Sequence, residues 1–201
     1  MPSESDSARL PLVPEAANDM DTVLDQLAGG LYSLASMLCG EGEETVRVVE
    51  VALANAEVSA CSNFKEARCS SRRALCSGAL ELLARRGEQL APPAGLDEAP
   101  KPCIDDDDLE AAGISADELE AMFSGSDRER VRSWLESLPL THRIVFSLRA
   151  VAGIPSRQAA SFLRHHAGPT AQGWTANLVR EVFRQALCSL TSQLIHRAAH
   201  K

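Results

Sequence analysis

The chain has few aromatic residues and lacks the cysteine spacing of a metal finger. Its 201 residues include five Phe, two Trp and one Tyr, whereas Ala, Leu, Arg and Glu are abundant, a balance that favours helices over sheets. The six cysteines contain no C-x-x-C pair, which argues against a disulfide framework and against a zinc finger. We therefore expect an all-α protein whose thiols are reduced.

Several other features that the sequence lacks reduce the number of functions that it could have. The start of the chain is serine-rich and acidic, without a basic segment before an apolar core, so we expect residues 1–17 to be a disordered tail rather than a secretory signal. No uncharged apolar run approaches the roughly 18 residues of a membrane span. No Ser–His–acid arrangement and no phosphate-binding glycine loop stand out. These observations favour a cytoplasmic protein that is not an enzyme, binds no membrane, and needs no metal or other cofactor.

Positive charge is concentrated at the C-terminal end of an otherwise acidic chain. Residues 127–201 hold 11 basic and four acidic residues, a net charge of +7, whereas residues 1–126 carry −15. A basic segment on an acidic chain indicates a polyanionic partner for that segment, and a solvated helix surface is the alternative explanation.

Apolar residues recur at the i, i+3, i+4 and i+7 spacing of helices throughout residues 18–86. The first three stripes are Met20, Val23, Leu24 and Leu27; Leu31, Leu34, Ala35 and Leu38; and Val46, Val49, Leu53 and Ala56. A fourth helix, capped by Asn63, is predicted to run to about Arg86. Its inward face would comprise Leu75, Ala79, Leu82 and Leu83. We expect these helices to form one bundle.

Residues 87–125 differ in composition from the segments on either side. They hold four prolines and the acidic run from Asp105 to Asp108. Because proline stiffens a segment and like charges extend it, we predict an interdomain linker here.

Residues 126–201 are predicted to form a second helical domain. Three helices come first, from Ser126 to Pro139, from Thr141 to Gly153, and from Ser156 to Leu163. A break at Gly168 and Pro169 then precedes a long final helix headed by Trp174, whose place on an apolar stripe favours core packing. The short third helix, the break and the final helix predict a helix-turn-helix.

The second domain also carries a family resemblance. Residues 138–148 read LPLTHRIVFSL, and Gly153 and the segment AASFL at 159–163 follow. This pattern resembles the promoter-reading domain of bacterial sigma factors, in which the helix after the turn enters the upstream promoter element. LYSLA at 31–35 and the valines and glutamates up to Leu53 resemble the sigma region that binds core polymerase. The two-domain layout with an acidic linker resembles the extracytoplasmic-function class.

The resemblance implies that core RNA polymerase and promoter DNA are partners, and an anti-sigma protein is a further partner that it allows. The polymerase-binding candidates are Arg47, Val48, Glu50, Val51 and Leu53. The family usually has Asp and Gln at the positions of Arg47 and Glu50, and the Trp and Leu of its promoter-melting segment fall on Ala67 and Arg68. The alternative hypothesis is therefore a helix-turn-helix regulator that binds DNA or polymerase without melting promoters.

The DNA-reading residues depend on where the final helix begins. The segment between Leu163 and Trp174 is about four residues longer than the family's turn. A helix that starts near Trp174 would expose Thr175, Asn177 and Arg180, whereas a start at Thr170 would add Gln172. Arginines neutralise phosphates, and an Asn or Gln amide matches adenine in the major groove. The DNA-binding candidates are Arg157, Gln158, Arg164, Thr170, Gln172, Thr175, Asn177, Arg180 and Arg184.

Overall fold

The computed structural model describes residues 28, 30–55, 64–96 and 128–198, which form helices joined by turns and irregular segments, with no strand among them. The predicted all-α fold class is therefore confirmed for the described part of the chain. The predicted helix over Met20 to Leu27 and the acidic run Asp105 to Asp108 lie outside the described residues.

The helices fall into two groups along the chain. The first group comprises α1 (residues 30–39), α2 (Glu43–Ala54) and α3 (Phe64–Arg85). The second comprises α4 (Arg128–Ser137), α5 (Leu140–Phe146) with a π-helical continuation (Ser147–Val151), α6 (Ser156–His166), a 3₁₀ turn (Pro169–Gly173) and α7 (Ala176–Ala198).

The stripe predicted on α1 is confirmed, whereas the stripe predicted on α2 is confirmed at Val49 and in part at Leu53 but is wrong at Val46. Leu31, Leu34, Ala35 and Leu38 are all buried. On α2 the buried residues are Thr45, Val48, Val49 and Ala52, whereas Val46 is 42 % exposed. The Thr45 hydroxyl donates to the Gly40 carbonyl across 2.7 Å, which fixes the rotation of α2 as it leaves the turn. Because α2 buries a threonine where a valine was expected, a pattern of apolar residues alone placed Val46 on the buried side.

The third helix agrees closely with its prediction and packs on α2. Leu75, Ala79, Leu82 and Leu83 are all at most 3 % exposed. A Cβ on Gly78 would lie 3.2 Å from Val48 Cγ1, so the missing side chain lets the two helices approach closely. The Arg86 guanidinium then ties the end of α3 to the first pair of helices, donating to the Cys39 carbonyl at 2.6 Å and the Glu44 carboxylate at 2.8 Å.

The second group packs around an aromatic cluster. Trp134 meets Phe146 edge-on with 4.9 Å between ring centroids, and Phe146 is 6.2 Å from Phe183 on α7. The prediction of one regular helix from Thr141 to Gly153 is wrong in detail, because the helix is preceded by Pro139 and starts at Leu140, so that Thr141 does not cap it, and because Ser147–Val151 is π-helical. The wider turn ends at Gly153, whose φ of +64° suits glycine as predicted.

The two groups share one continuous hydrophobic core. Leu38 from α1 and Leu80 and Leu83 from α3 line the same small cavity as Ile144 and Leu148. Polar contacts surround this junction. The Arg143 guanidinium donates to the Met37 carbonyl at 2.9 Å, Arg132 pairs with Glu41 at 2.9 Å, and the His166 Nδ1 lies 3.0 Å from both Ser77 Oγ and Glu81 Oε1.

The first residues of the predicted linker belong to this packed structure. We call residues 87–96 the post-α3 segment. Within it Leu90 is 1 % exposed, and Leu96 packs against the core. The side chains of this part therefore stabilise the fold by apolar burial.

Three of the four cysteines that the structure describes have the reduced thiols that the sequence predicted. Cys39, Cys69 and Cys76 are free, whereas Cys188 is disulfide-bonded, so the expectation of reduced thiols is wrong there. Burial raises the pKa of the Cys76 thiol to about 12 and that of the Cys39 thiol to about 11. These two thiols resist ionisation because the anion would lie in an apolar core.

Candidate nucleic-acid interface and docking face

Helix α6 presents a polar row to solvent and an apolar row to the core. Arg157 and Gln158 are exposed in its first turn, whereas Ala159, Ala160 and Leu163 are at most 2 % exposed. The two alanines are small, so they allow α7 to pack closely against this side. The predicted pair Arg157 and Gln158 is therefore available to a ligand.

The connection from α6 to α7 decides between the two predicted starts of the final helix. It spans residues 167–175 and contains the 3₁₀ turn Pro169–Gly173. The α-helix starts at Ala176, and the Leu178 amide donates to the Thr175 hydroxyl at 3.2 Å as an N-terminal cap. Thr170 and Gln172 consequently lie in the turn and not on α7.

Two predicted DNA-binding residues form hydrogen bonds that stabilise the turn. The Arg164 guanidinium donates to the Trp174 carbonyl at 2.5 Å. The Gln172 amide donates to the Arg164 carbonyl at 2.9 Å. Arg164 is half-buried, and its Nη1 donor holds the end of the turn in place.

The first turns of α7 carry the remaining candidates. Thr175 and Asn177 are exposed, and the half-buried Arg180 donates a hydrogen bond to the Asn177 side-chain oxygen. Arg184 is ion-paired with Glu181, and its side chain is only 12 % exposed. The open surface at the start of α7 is therefore formed by Thr175, Asn177 and Arg180, with Arg184 largely enclosed.

The charges of this surface are mostly of one sign. Glu181 is the only acidic residue between Ser137 and the end of the sequence. Its carboxylate is paired with Arg184 in the same helix. Arg157 is exposed and Arg180 is half-buried, so basic residues dominate the charge of α6 and of the start of α7.

Trp174 is a core residue, as its apolar stripe predicted. It is 1 % exposed, and its indole N–H donates to the Leu90 carbonyl across 2.7 Å. A Cβ on the neighbouring Gly173 would lie 3.2 Å from Pro92 Cγ. The turn before α7 is therefore held by Arg164 on one side and by the post-α3 segment on the other.

A second candidate surface lies on α2. Arg47 and Glu50 are exposed and Val51 is 54 % exposed, so these three polymerase-binding candidates face solvent. Val48 is buried against Gly78, and Leu53 is partly buried against the core. Those two side chains stabilise the helix pair instead of offering a surface.

Sequence reasoning missed one residue of this surface, because Val46 had been placed inside. Spacing from Thr45 through Val48, Val49 and Ala52 fits the same helical period, and it would have placed Val46 beside Glu50 on the outer side. We define the α2 face as Val46, Arg47, Glu50 and Val51.

Within the described ranges, no group of three His, Cys, Asp or Glu side chains gathers to hold a metal ion. The helices of those same ranges also include none with the length and apolarity required to cross a bilayer. In comparisons with known proteins, no family model, no curated protein and no solved structure matches this chain.

Proposed function

We propose that this chain is a sigma-like transcription initiation factor that binds DNA through α6 and α7, acting as a helix-turn-helix, and core RNA polymerase through the α2 face. The observation that carries the proposal is the open polar surface at the start of α7, together with the exposed Arg157 and Gln158 of α6, the helix that packs against α7. No cofactor takes part.

The chemistry of the α6–α7 surface suits duplex DNA. Arg157 and Arg180 neutralise phosphates, and positively charged residues near a helix N-terminus add to the field of its exposed backbone amides. Asn177 lies in the first turn of α7, where a side-chain amide reaches base edges in the major groove. A bidentate contact of this kind discriminates between bases by about 1–3 kcal/mol.

The α2 face has the composition of a protein-binding surface. Val46 and Val51 expose branched aliphatic side chains, and Arg47 and Glu50 place opposite charges beside them. Aliphatic groups bordered by charges give a contact that buries apolar area and fixes orientation at its rim. This arrangement supports polymerase docking through Arg47, Glu50 and Val51, with Val46 added.

A transcription assay tests the whole proposal. Purified protein is mixed with core polymerase and promoter templates, and open complexes and run-off transcripts are measured. We expect transcripts from the wild type and their loss in Val51→Asp, because a buried carboxylate in the docking contact lacks a partner. Ser133→Asp changes an exposed residue of α4 in the same way and should keep full activity.

DNA binding is measured separately on duplexes at several salt concentrations. Arg157→Ala and Arg180→Ala should each weaken binding and each reduce the slope of log K against log salt by about one. Arg85→Ala removes an exposed arginine at the end of α3 and should leave the slope unchanged. Equal slopes for all four proteins would refute the placement of the DNA-binding surface.

The second candidate function is a regulator that binds DNA or polymerase without initiating transcription. The shared core of Leu38, Leu80, Ile144 and Leu148 favours it, since a factor that engages two promoter elements has to set its two halves apart. Ala67 and Arg68, which stand where the family has melting residues, favour it as well. Stable polymerase or DNA binding without run-off transcripts would select this function.

A further inference from the structure

The start of α7 is attached to a part of the chain that contributes nothing to the DNA-binding surface. Trp174 lies two residues before Ala176, where α7 begins. Its indole N–H bonds to Leu90 in the post-α3 segment, 84 residues earlier in the chain, and both residues are 1 % exposed. A single buried hydrogen bond therefore joins the first group of helices to the start of α7.

Packing beside this hydrogen bond also holds the start of α7 against the post-α3 segment. The Pro92 ring lies so close to Gly173 that a Cβ there would be 3.2 Å from Pro92 Cγ. The ring has little freedom because proline fixes its own backbone torsion. Pro92 thus forms a rigid wall against the residue that precedes Trp174.

The other side of Trp174 is fixed by α6. Its carbonyl accepts from Arg164, and the capping residue Thr175 follows immediately. A displacement of Trp174 therefore moves the cap and the first turn of α7, which carries Asn177. Contacts to base edges depend on angles and distances within a few tenths of an ångström of ideal hydrogen-bond geometry, whereas a phosphate contact tolerates larger shifts.

We propose that the post-α3 segment positions the first turn of α7 through Trp174, and that discrimination between DNA sequences depends on this contact. The proposal rests on the proposed DNA-binding function. Trp174 is a positioning residue, because its side chain faces Leu90 and not the ligand. Sequence preference and general DNA affinity should therefore respond differently when the contact is lost.

The test uses the full-length chain and a library of random-sequence duplexes. Binding selection on the wild type yields a preferred duplex, and affinities for it and for a scrambled duplex are then compared. Trp174→Phe keeps an aromatic ring in the core but removes the indole donor. We expect its preference for the selected duplex to fall about tenfold, the loss of one good base contact, while affinity for the scrambled duplex stays unchanged.

Trp134→Phe is the matched control for the tryptophan substitution. It removes an indole donor from the same core, but that donor bonds to Ser189, thirteen residues beyond the start of α7. Its sequence preference should equal that of the wild type. Since the chain has two tryptophans, this variant also makes Trp174 the only tryptophan and a fluorescent reporter of the contact.

A second variant changes the post-α3 segment instead and leaves Trp174 unchanged. In the Trp134→Phe background, Pro92→Gly should shift Trp174 emission to longer wavelength and lower sequence preference by the same factor. Pro93→Gly should do neither, because among the described residues only Pro92 has atoms within 4 Å of a Cβ built on Gly173.

The outcomes separate this inference from the proposed function. Unchanged preference in Trp174→Phe and Pro92→Gly overturns the inference alone. An equal loss of affinity for selected and scrambled duplexes also overturns it, because that result assigns Trp174 a general role in folding. A wild-type chain that binds no duplex overturns the proposed function and this inference with it.

Discussion

Substitution of Leu80 by alanine should destabilise both groups of helices at once. Leu80 lies on α3, is 2 % exposed, and lines the junction with Ile144 and Leu148 of the second group. Truncation of a buried leucine costs about 3–4 kcal/mol when the surrounding side chains relax only in part. With a urea dependence of about 2–3 kcal/mol per molar, the unfolding midpoint should fall by about 1–2 M.

Tryptophan fluorescence makes this experiment specific, because Trp134 and Trp174 both belong to the second group of helices, whereas Leu80 belongs to the first. If the core is continuous, the fluorescence midpoint falls together with the midpoint from far-UV circular dichroism. Val51→Ala, on the exposed α2 face, should change stability by less than about 0.5 kcal/mol. A fluorescence midpoint that stays in place in Leu80→Ala would refute the shared core.

The other predictions concern the turn and the thiols. Gly168 has φ +79° and ψ −175°, a conformation almost confined to glycine, so Gly168→Ala should lower the free energy of unfolding by about 1–3 kcal/mol. Gly30→Ala, in a helix with open space around it, should be neutral or slightly stabilising in the same urea titration, and equal effects of the two substitutions would contradict the argument. Because burial raises its pKa to about 12, Cys76 should resist iodoacetamide at pH 8 until urea unfolds the chain; mass spectrometry that finds rapid native-state labelling would place this thiol outside the core.

Local patterns carried much of the fold. The buried faces of α1 and α3 were predicted correctly because their leucines repeat at the helical period. Leu31 and Leu34 of α1 and Leu75 and Leu82 of α3 are all buried. The phase of α2 was missed because Thr45, a polar residue that bonds back to Gly40, takes a core position. A pattern of apolar residues alone does not identify a buried threonine whose hydroxyl donates a hydrogen bond to a backbone carbonyl.

The candidate sites required contacts that sequence spacing does not encode. Charge and helix spacing identified Arg157 and Asn177, which are exposed, and Arg180, which is half-buried and bonds to Asn177. The sequence did not decide where α7 starts, because the residues that fix this start include Leu90, which lies 84 positions earlier in the chain. Arg164 illustrates the same limit, since only the folded turn reveals that its guanidinium bonds to the carbonyl of Trp174.

The bond between Trp174 and Leu90 also sets an order of events during synthesis. Leu90 leaves the ribosome 84 residues ahead of its partner, and at about 5–20 residues per second that interval lasts roughly 4–17 s. Leu90 lacks its partner Trp174 throughout this time, and Leu80 and Leu83 lack Ile144 and Leu148 for most of it. The nascent chain therefore exposes part of the apolar side of α3 to chaperones and to other chains until the second group of helices has emerged.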